Sequence, residues 1–278
     1  MNKQNNFIKT ITYIILIISS IGFLLPIVWM ISTSLKSYEE NLSYIPTFFS
    51  KNPSFENYKT GLFTFIPFFK YFKNSLFLVV VGTLATLFTS TMVAYGFARN
   101  NSKKSKVLFF ILLATMMLPT QTTMISSYVI WARLNLVDTY VPLLITTFFG
   151  GSPFYIFLLK QFISTIPIEL EEAAIIDGAS RFQIYTRIIL PLLKPALAAV
   201  SIFSFQAIWN DYMGPLIYIK SESKYTLAQA LTLFKMPHET LWGPMMSASI
   251  VSLLPIILMF VFFQKYFIGG ITQGGVKS

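Results

Sequence analysis

NSLFLVVVGTLATLFTSTMVAYGF, residues 74–97, contains no Asp, Glu, Lys, Arg or His. Of the next nine residues, 98–106, four are basic: Arg99, Lys103, Lys104 and Lys106. A helix rises about 1.5 Å per residue, so about 20 mostly apolar residues cross the hydrocarbon core of a bilayer. Lys and Arg mark the cytoplasmic end of such a span. The two adjoining stretches predict a transmembrane helix that runs from outside to inside.

Working outward, five more runs of this kind occur, at about 11–31, 107–127, 140–159, 191–210 and 244–264. The first is too long for the core of a signal peptide and lacks a small-residue cleavage site, so it reads as a retained span. Residues 1–10 are too polar to join it and read as a cytoplasmic N-terminus. With both termini inside, inner segments hold twelve of the 21 Lys and Arg residues and outer loops hold nine. The loop 98–106 decides the orientation, because the rule is weak for the long loop 32–73.

Composition agrees. Of 278 residues, 54% are hydrophobic and 12% charged, whereas a soluble domain carries about 25% charged residues. Mean hydropathy is +0.64. The absence of Cys excludes disulfides, thiolate metal sites and Cys nucleophiles, and the single His238 excludes a His cluster. The net charge of +10 follows from the basic cytoplasmic loops and calls for no nucleic acid. No cofactor, metal or catalytic residue is expected.

The span cores lack ionisable residues, which argues against a proton- or ion-coupled carrier. The tail GGITQGGVKS resembles a P-loop, but Val276 interrupts the spacing from Gly270 to Lys277 and Ser278. An ATP-hydrolysing site is therefore not expected in this chain.

One acidic group stands apart: STIPIELEEAAIIDGASRFQIYTRIILP, residues 164–191, on the inner side between the fourth and fifth spans. Pro167 fits a first helical turn, and Glu169, Glu171 and Glu172 suit a helix N-terminus. Gly178 predicts the stop, and Ser180 with Gln183 predicts a capping box opening a second helix. Leu170, Ala173, Ala174 and Asp177 fall on one face at i, i+3, i+4 and i+7. The pattern alone leaves three readings open. They are a hairpin that docks on another protein, a helix lying in the membrane interface, and an enzyme site built from the carboxylates.

EAAIIDGASRFQIYTRIILP also resembles the signature of binding-protein-dependent ABC importer permeases. The matching residues are Glu172, Ala173, Ala174, Gly178, Ile188, Leu190 and Pro191. Trp29, TSLK at 33–36, ENY at 56–58, FKNS at 72–75, AYGFAR at 94–99, MMLP at 116–119, WNDYMGPL at 209–216 and FIGGITQGGVKS at 267–278 resemble the sugar-importing branch. The short first loop and the terminal Gly-Gly-x-x-x-Gly-Gly-Val-Lys resemble the second, shorter permease of maltose-type importers. The resemblance implies an all-α, polytopic type I ABC importer permease fold with six transmembrane helices. It implies a second homologous permease, two ATP-binding subunits, an extracellular sugar-binding protein and a sugar substrate. Glu171, Glu172, Ala173, Ala174, Asp177, Gly178, Ile188, Leu190 and Pro191 would then form the hairpin that couples to the ATPase. The tail 267–278 would approach the same subunits. The permease domain would span 71–266, behind a first helix at 11–31. A permease for a non-sugar solute and a membrane-embedded enzyme are the alternatives.

A sugar path needs hydroxyl-pairing groups and aromatic faces. Ser204, Gln206, Trp209 and Asn210 on the fifth span and Ser249 on the sixth are the candidates. Ser and Thr in membrane bundles more often join helices than touch a ligand. Asp211 stands at the outer end of the fifth span, and His238 reads as a solvated loop residue.

Overall fold

A computed structural model describes residues 2–274, and their regular secondary structure is helical apart from one isolated bridge between Lys235 and Thr240. Among the described residues, four helical segments are long and apolar enough to cross a membrane: Lys9–Leu35, Phe68–Arg99, Val141–Ser164 and Trp242–Lys265. Two bent helix pairs, Lys103–Met117 with Gln121–Arg133 and Arg181–Leu192 with Lys194–Trp209, bring the number to six where each pair counts as one span.

The differences from the sequence reading have local causes. Helix α1, Asn2–Leu35, takes in residues that looked too polar for it. Helix α2, Phe68–Arg99, begins six residues before the uncharged run, because the polar and aromatic residues ahead of it remain helical. The expected third span, 107–127, is two helices, Lys103–Ala114 and Thr120–Arg133, broken where Leu118 lies extended ahead of Pro119. A residue before proline is pushed out of the helical region. The expected fifth span, 191–210, starts at Lys194 and ends at Trp209. Pro191 belongs to the preceding helix, which meets it at 76°. The last four residues of the tail, 275–278, lie outside the described residues.

The segment Val141–Ser164 is also interrupted. Its 3-10 turn Ile145–Phe149 ends at Gly150 and Gly151, with φ of 97° and 63°. Unpaired backbone is costly in hydrocarbon. Here the hydroxyl of Thr89 on α2 donates to the Thr147 carbonyl at 2.8 Å and accepts from the Gly150 N–H at 3.0 Å.

The chain divides into two compact units. The first holds residues up to Lys70 and Ala230–Leu254. The loop after its first helix is built around Lys36, which is only 3% exposed. The Lys36 ammonium donates to the Thr47 carbonyl at 2.5 Å and sits 4.5 Å from the centre of the Trp29 ring. The Asn57 side-chain amide donates to the Ser34 and Lys36 carbonyls at 2.9 and 2.7 Å. Gly61 is required here, because a Cβ would stand 2.5 Å from the Pro244 carbonyl oxygen.

The second unit comprises Tyr71–Gln229 and the residues from Pro255. Its core includes Leu159, Ile163, Ile184, Ile189, Leu193 and Val200. In the loop ahead of Val141, Asp138 adopts a left-handed φ of 62°. Its carboxylate accepts from the Ser221 hydroxyl, from the Ser221 and Lys220 N–H groups and from the Lys224 ammonium at 3.0 Å. The Ser221 hydroxyl and N–H, and then Lys224, hold the Asp138 carboxyl well below the usual carboxylate range. A depressed carboxylate contributes stability above its unfolded pKa, and that stability is lost as pH falls through the folded value. The clamp should therefore be intact at neutral pH and should loosen progressively below about pH 4. Hydrogen exchange in 134–140 and 219–224 should rise there in the parent and should be equally fast at pH 7 in Asp138→Ala.

Candidate functional site: a helical hairpin between two spans

The hairpin forms as its sequence predicts, with one shift at its start. Helix α3, Glu169–Ile176, begins two residues after Pro167, so the proline precedes the first turn. The helix closes with a Schellman motif: the Ala179 N–H reaches the Ala174 carbonyl at 2.9 Å and the Gly178 N–H reaches the Ile175 carbonyl at 3.0 Å. Gly178 has φ of 82°, and a Cβ there would meet open space. Only the backbone conformation selects glycine. Helix α4, Arg181–Ile184, opens with both bonds of the capping box, from the Ser180 N–H to Gln183 at 2.7 Å and from the Gln183 N–H to Ser180 at 3.3 Å.

Beyond α4 the backbone widens into a π-turn, Tyr185–Ile189, in which the Leu190 N–H reaches back to the Tyr185 carbonyl. Pro191 follows at once. Proline cannot donate to a carbonyl four residues back and clashes with it, so a wider turn ahead of it relieves both problems.

Glu171, named among the residues expected to couple to the ATPase, is turned away from the exposed tip. It is 6% exposed. The Arg99 guanidinium at the end of α2 donates to one carboxylate oxygen at 2.6 Å, and the Tyr95 hydroxyl donates to the other at 2.9 Å. Arg99 also donates to the Ile166 carbonyl at 3.1 Å. A second tie joins the other limb, where the Tyr185 hydroxyl bonds Thr91 on α2 at 2.8 Å. Both limbs are thus fastened to one transmembrane helix through charge-assisted or buried hydrogen bonds.

The other named residues sort by exposure. Glu172, Ala173, Asp177 and Gly178 are exposed at the tip, as is Pro191 farther along. Ala174, Ile188 and Leu190 are half-buried, and Ala174 and Ile188 pack against the core cluster. Ala174 therefore belongs partly to the stem, which corrects its assignment to an open docking face. The sequence reading passed over the most exposed apolar side chains: Ile176 at 86% and Phe182 at 71%, with Ile175 beside them. Two adjacent isoleucines before a glycine stop, in a helix that turns a glutamate inward, were the available signal. Apolar side chains clustered at an exposed tip mark a contact with another protein or with the membrane surface.

The acids do not assemble into an acid–base pair. Glu171 is occupied by Arg99 and Tyr95, while Glu172 next to it is exposed. Nothing here positions two carboxylates toward one reacting group.

The path candidates separate as well. Ser204 and Trp209 are buried at 1% and 5%, Trp209 stacking on Phe205 at 5.7 Å. Gln206 and Asn210 lie exposed on the same helix. Ser249 lies in the other unit and donates to its own helix, to the Met245 carbonyl at 2.7 Å. Asp211 shapes the loop after this helix by accepting from the Gly214 N–H at 3.0 Å.

The model of the family described as binding-protein-dependent transport system inner membrane component matches residues 87–273, a stretch that contains the whole hairpin. The chain belongs to this family. It is 36% identical to the arabinooligosaccharides transport system permease protein AraQ of Bacillus subtilis, over 93% of this chain and 92% of the relative. It is 30% identical to the diacetylchitobiose uptake system permease protein DasC of Streptomyces coelicolor, over 99% and 100%. Among solved structures, it resembles a chain of a bacterial ABC transporter involved in the import of alginate, with a TM-score of 0.81 and 24% identity over 96% of this chain and 99% of that one. That likeness establishes the fold. The protein is thus a multi-pass membrane permease, and the hairpin is part of transport machinery.

Proposed function

We propose that the chain is one of two homologous permease subunits of an ATP-driven importer for a carbohydrate, an oligosaccharide or a glycoside. Two ATP-binding subunits engage the hairpin from the cytoplasm, and an extracellular binding protein delivers the sugar. Both termini are cytoplasmic. The observation that carries the coupling role is a hairpin fastened at its stem and bare at its apolar tip. The sugar assignment is supported by full-length relatives whose names specify oligosaccharides.

In this reading the ATP-binding subunits close on ATP and move the tip around Ile176 and Phe182. The Arg99–Glu171 and Tyr185–Thr91 ties pass that displacement to α2. This chain's residues position and transmit, and ATP is hydrolysed in the partner subunits.

The test is reconstitution. The complete set of subunits should accumulate sugar in vesicles only with ATP and binding protein, and this chain alone should neither hydrolyse ATP nor accumulate sugar. Accumulation by the chain alone would refute the reading. A reporter fused after Ser278 should work only when it is of a type active in the cytoplasm, and activity of an exported type would reverse the topology.

A further inference from the structure

Two adjoining chambers in the first unit are not explained by coupling. One, of about 370 Å³, is lined by Ser37, Tyr38, Asn41, Thr60, Thr240 and Trp242 among others. The second, of about 250 Å³, shares Lys36, Asn41 and Trp242 and adds Thr33. The larger falls within the range of small-molecule sites, about 300–1,000 Å³.

Several groups on these walls are uncommitted. The Thr33 hydroxyl is buried without a hydrogen-bond partner, and Thr33 itself is 7% exposed. A buried unpaired hydroxyl is uncommon, because it forfeits its hydration for nothing. Trp242 is 41% exposed, and its ring has no aromatic or hydrogen-bonding partner among the described residues. The Asn41 amide makes only long contacts, of 3.4 and 3.5 Å, to the Thr33 and Lys36 carbonyls. By contrast, Asn57 and Tyr38 are engaged, Asn57 with backbone and Tyr38 with Glu239 at 2.5 Å. The charged residues on these walls are Lys36, Glu40 and Glu56; Lys36 is held by Thr47 and Trp29, and Glu40 accepts from the Ser50 hydroxyl and the Lys51 N–H.

An open indole face, an amide held only by long bonds and an unpaired hydroxyl, around a cavity whose lining cation Lys36 is already engaged, match a neutral polyhydroxylated ring. The indole covers its C–H face, and the amide and hydroxyl pair with its OH groups. We infer that these chambers form a neutral-sugar subsite in this subunit, separate from the exposed Gln206 and Asn210 of the fifth span. This deepens the proposed function and rests on its assignment of 36–67 and 211–243 to the outside.

The test uses the complete transporter in nanodiscs without binding protein. Saturation-transfer NMR is recorded with maltotriose, xylotriose, arabinotriose and trigalacturonate, beside ATP-driven uptake by the parent. At least one neutral trisaccharide should bind, more tightly than the uronate. Trp242→Leu and Asn41→Ala should each weaken it by roughly tenfold, the scale of one good contact, while Trp242→Phe should retain it. No neutral-sugar signal, an unchanged signal in Trp242→Leu, an equal loss in Trp242→Phe, or preference for the uronate would each overturn the inference. An unchanged signal is what a Trp242 that only anchors the membrane interface would give. Failure of the parent to take up any sugar would count instead against the importer assignment.

Discussion

Arg99→Ala should abolish ATP-driven uptake while the chain still inserts in the membrane. The substitution strands Glu171, which is 6% exposed, with only the Tyr95 hydroxyl as partner. Removing one partner of a buried ion pair costs about 3–5 kcal/mol. The 16% exposure of the Arg99 side chain places this pair toward the low end. That is enough to release the stem of the hairpin from α2. Arg99→Ala with Glu171→Gln should lose less than the single change, because a neutral amide no longer leaves a buried charge unpaired. Uptake, membrane abundance and proteolysis within 164–191 should be measured together. Parent-rate uptake by Arg99→Ala would show that the tie transmits nothing. Equal losses in the single and double variants would show that the charge is not what is stranded.

The second large effect is expected at the tip. Gly178→Val forces a β-branched residue to φ of 82°, and the left-handed region costs an L-residue about 1–2 kcal/mol. Space is not the obstacle, since a Cβ meets nothing within 4 Å. Gly178→Asn, which tolerates this conformation, should therefore retain most uptake where Val abolishes it. Ala173→Trp adds bulk on the exposed side, whereas Ala174→Trp would also collide with the core cluster. Ala173→Trp is thus the cleaner probe of docking: it should abolish uptake at normal membrane abundance and leave the binding protein's sugar affinity unchanged. Loss of uptake in Val and Asn variants alike would remove the backbone argument, and normal uptake in Ala173→Trp would remove the docking argument.

Much of this was legible in the sequence because it rests on local rules. Length and apolarity place the spans, Gly178 ends one short helix, and Ser180 with Gln183 starts the next. What could not be read depends on contacts between distant segments. Glu171 looks like any acid in a first turn until Arg99, 72 positions away, is brought to it. Ala174 fits an open face by spacing, yet packs on a cluster drawn from the fourth and fifth spans. Gln206 and Ser204 are two residues apart and turn in different directions, one exposed and one buried. The breaks at Pro119 and between Leu192 and Lys194 were signalled by proline, but an apolar run conceals a bend inside it. The exposed Ile176 was missed because an apolar residue near a membrane invites a reading as buried surface.

The central claim is that the tip of the hairpin meets the ATP-binding subunit and moves with it. The chain has no cysteine, so Ile176→Cys introduces a single thiol at the most exposed apolar side chain of the hairpin. In the assembled transporter with cysteine pairs placed across the partner surface, this thiol should cross-link to the ATP-binding subunit, and the cross-link should arrest ATP-driven uptake. Modification of Cys at 176 by a bulky maleimide in the intact complex, with uptake continuing at the parent rate, would contradict it.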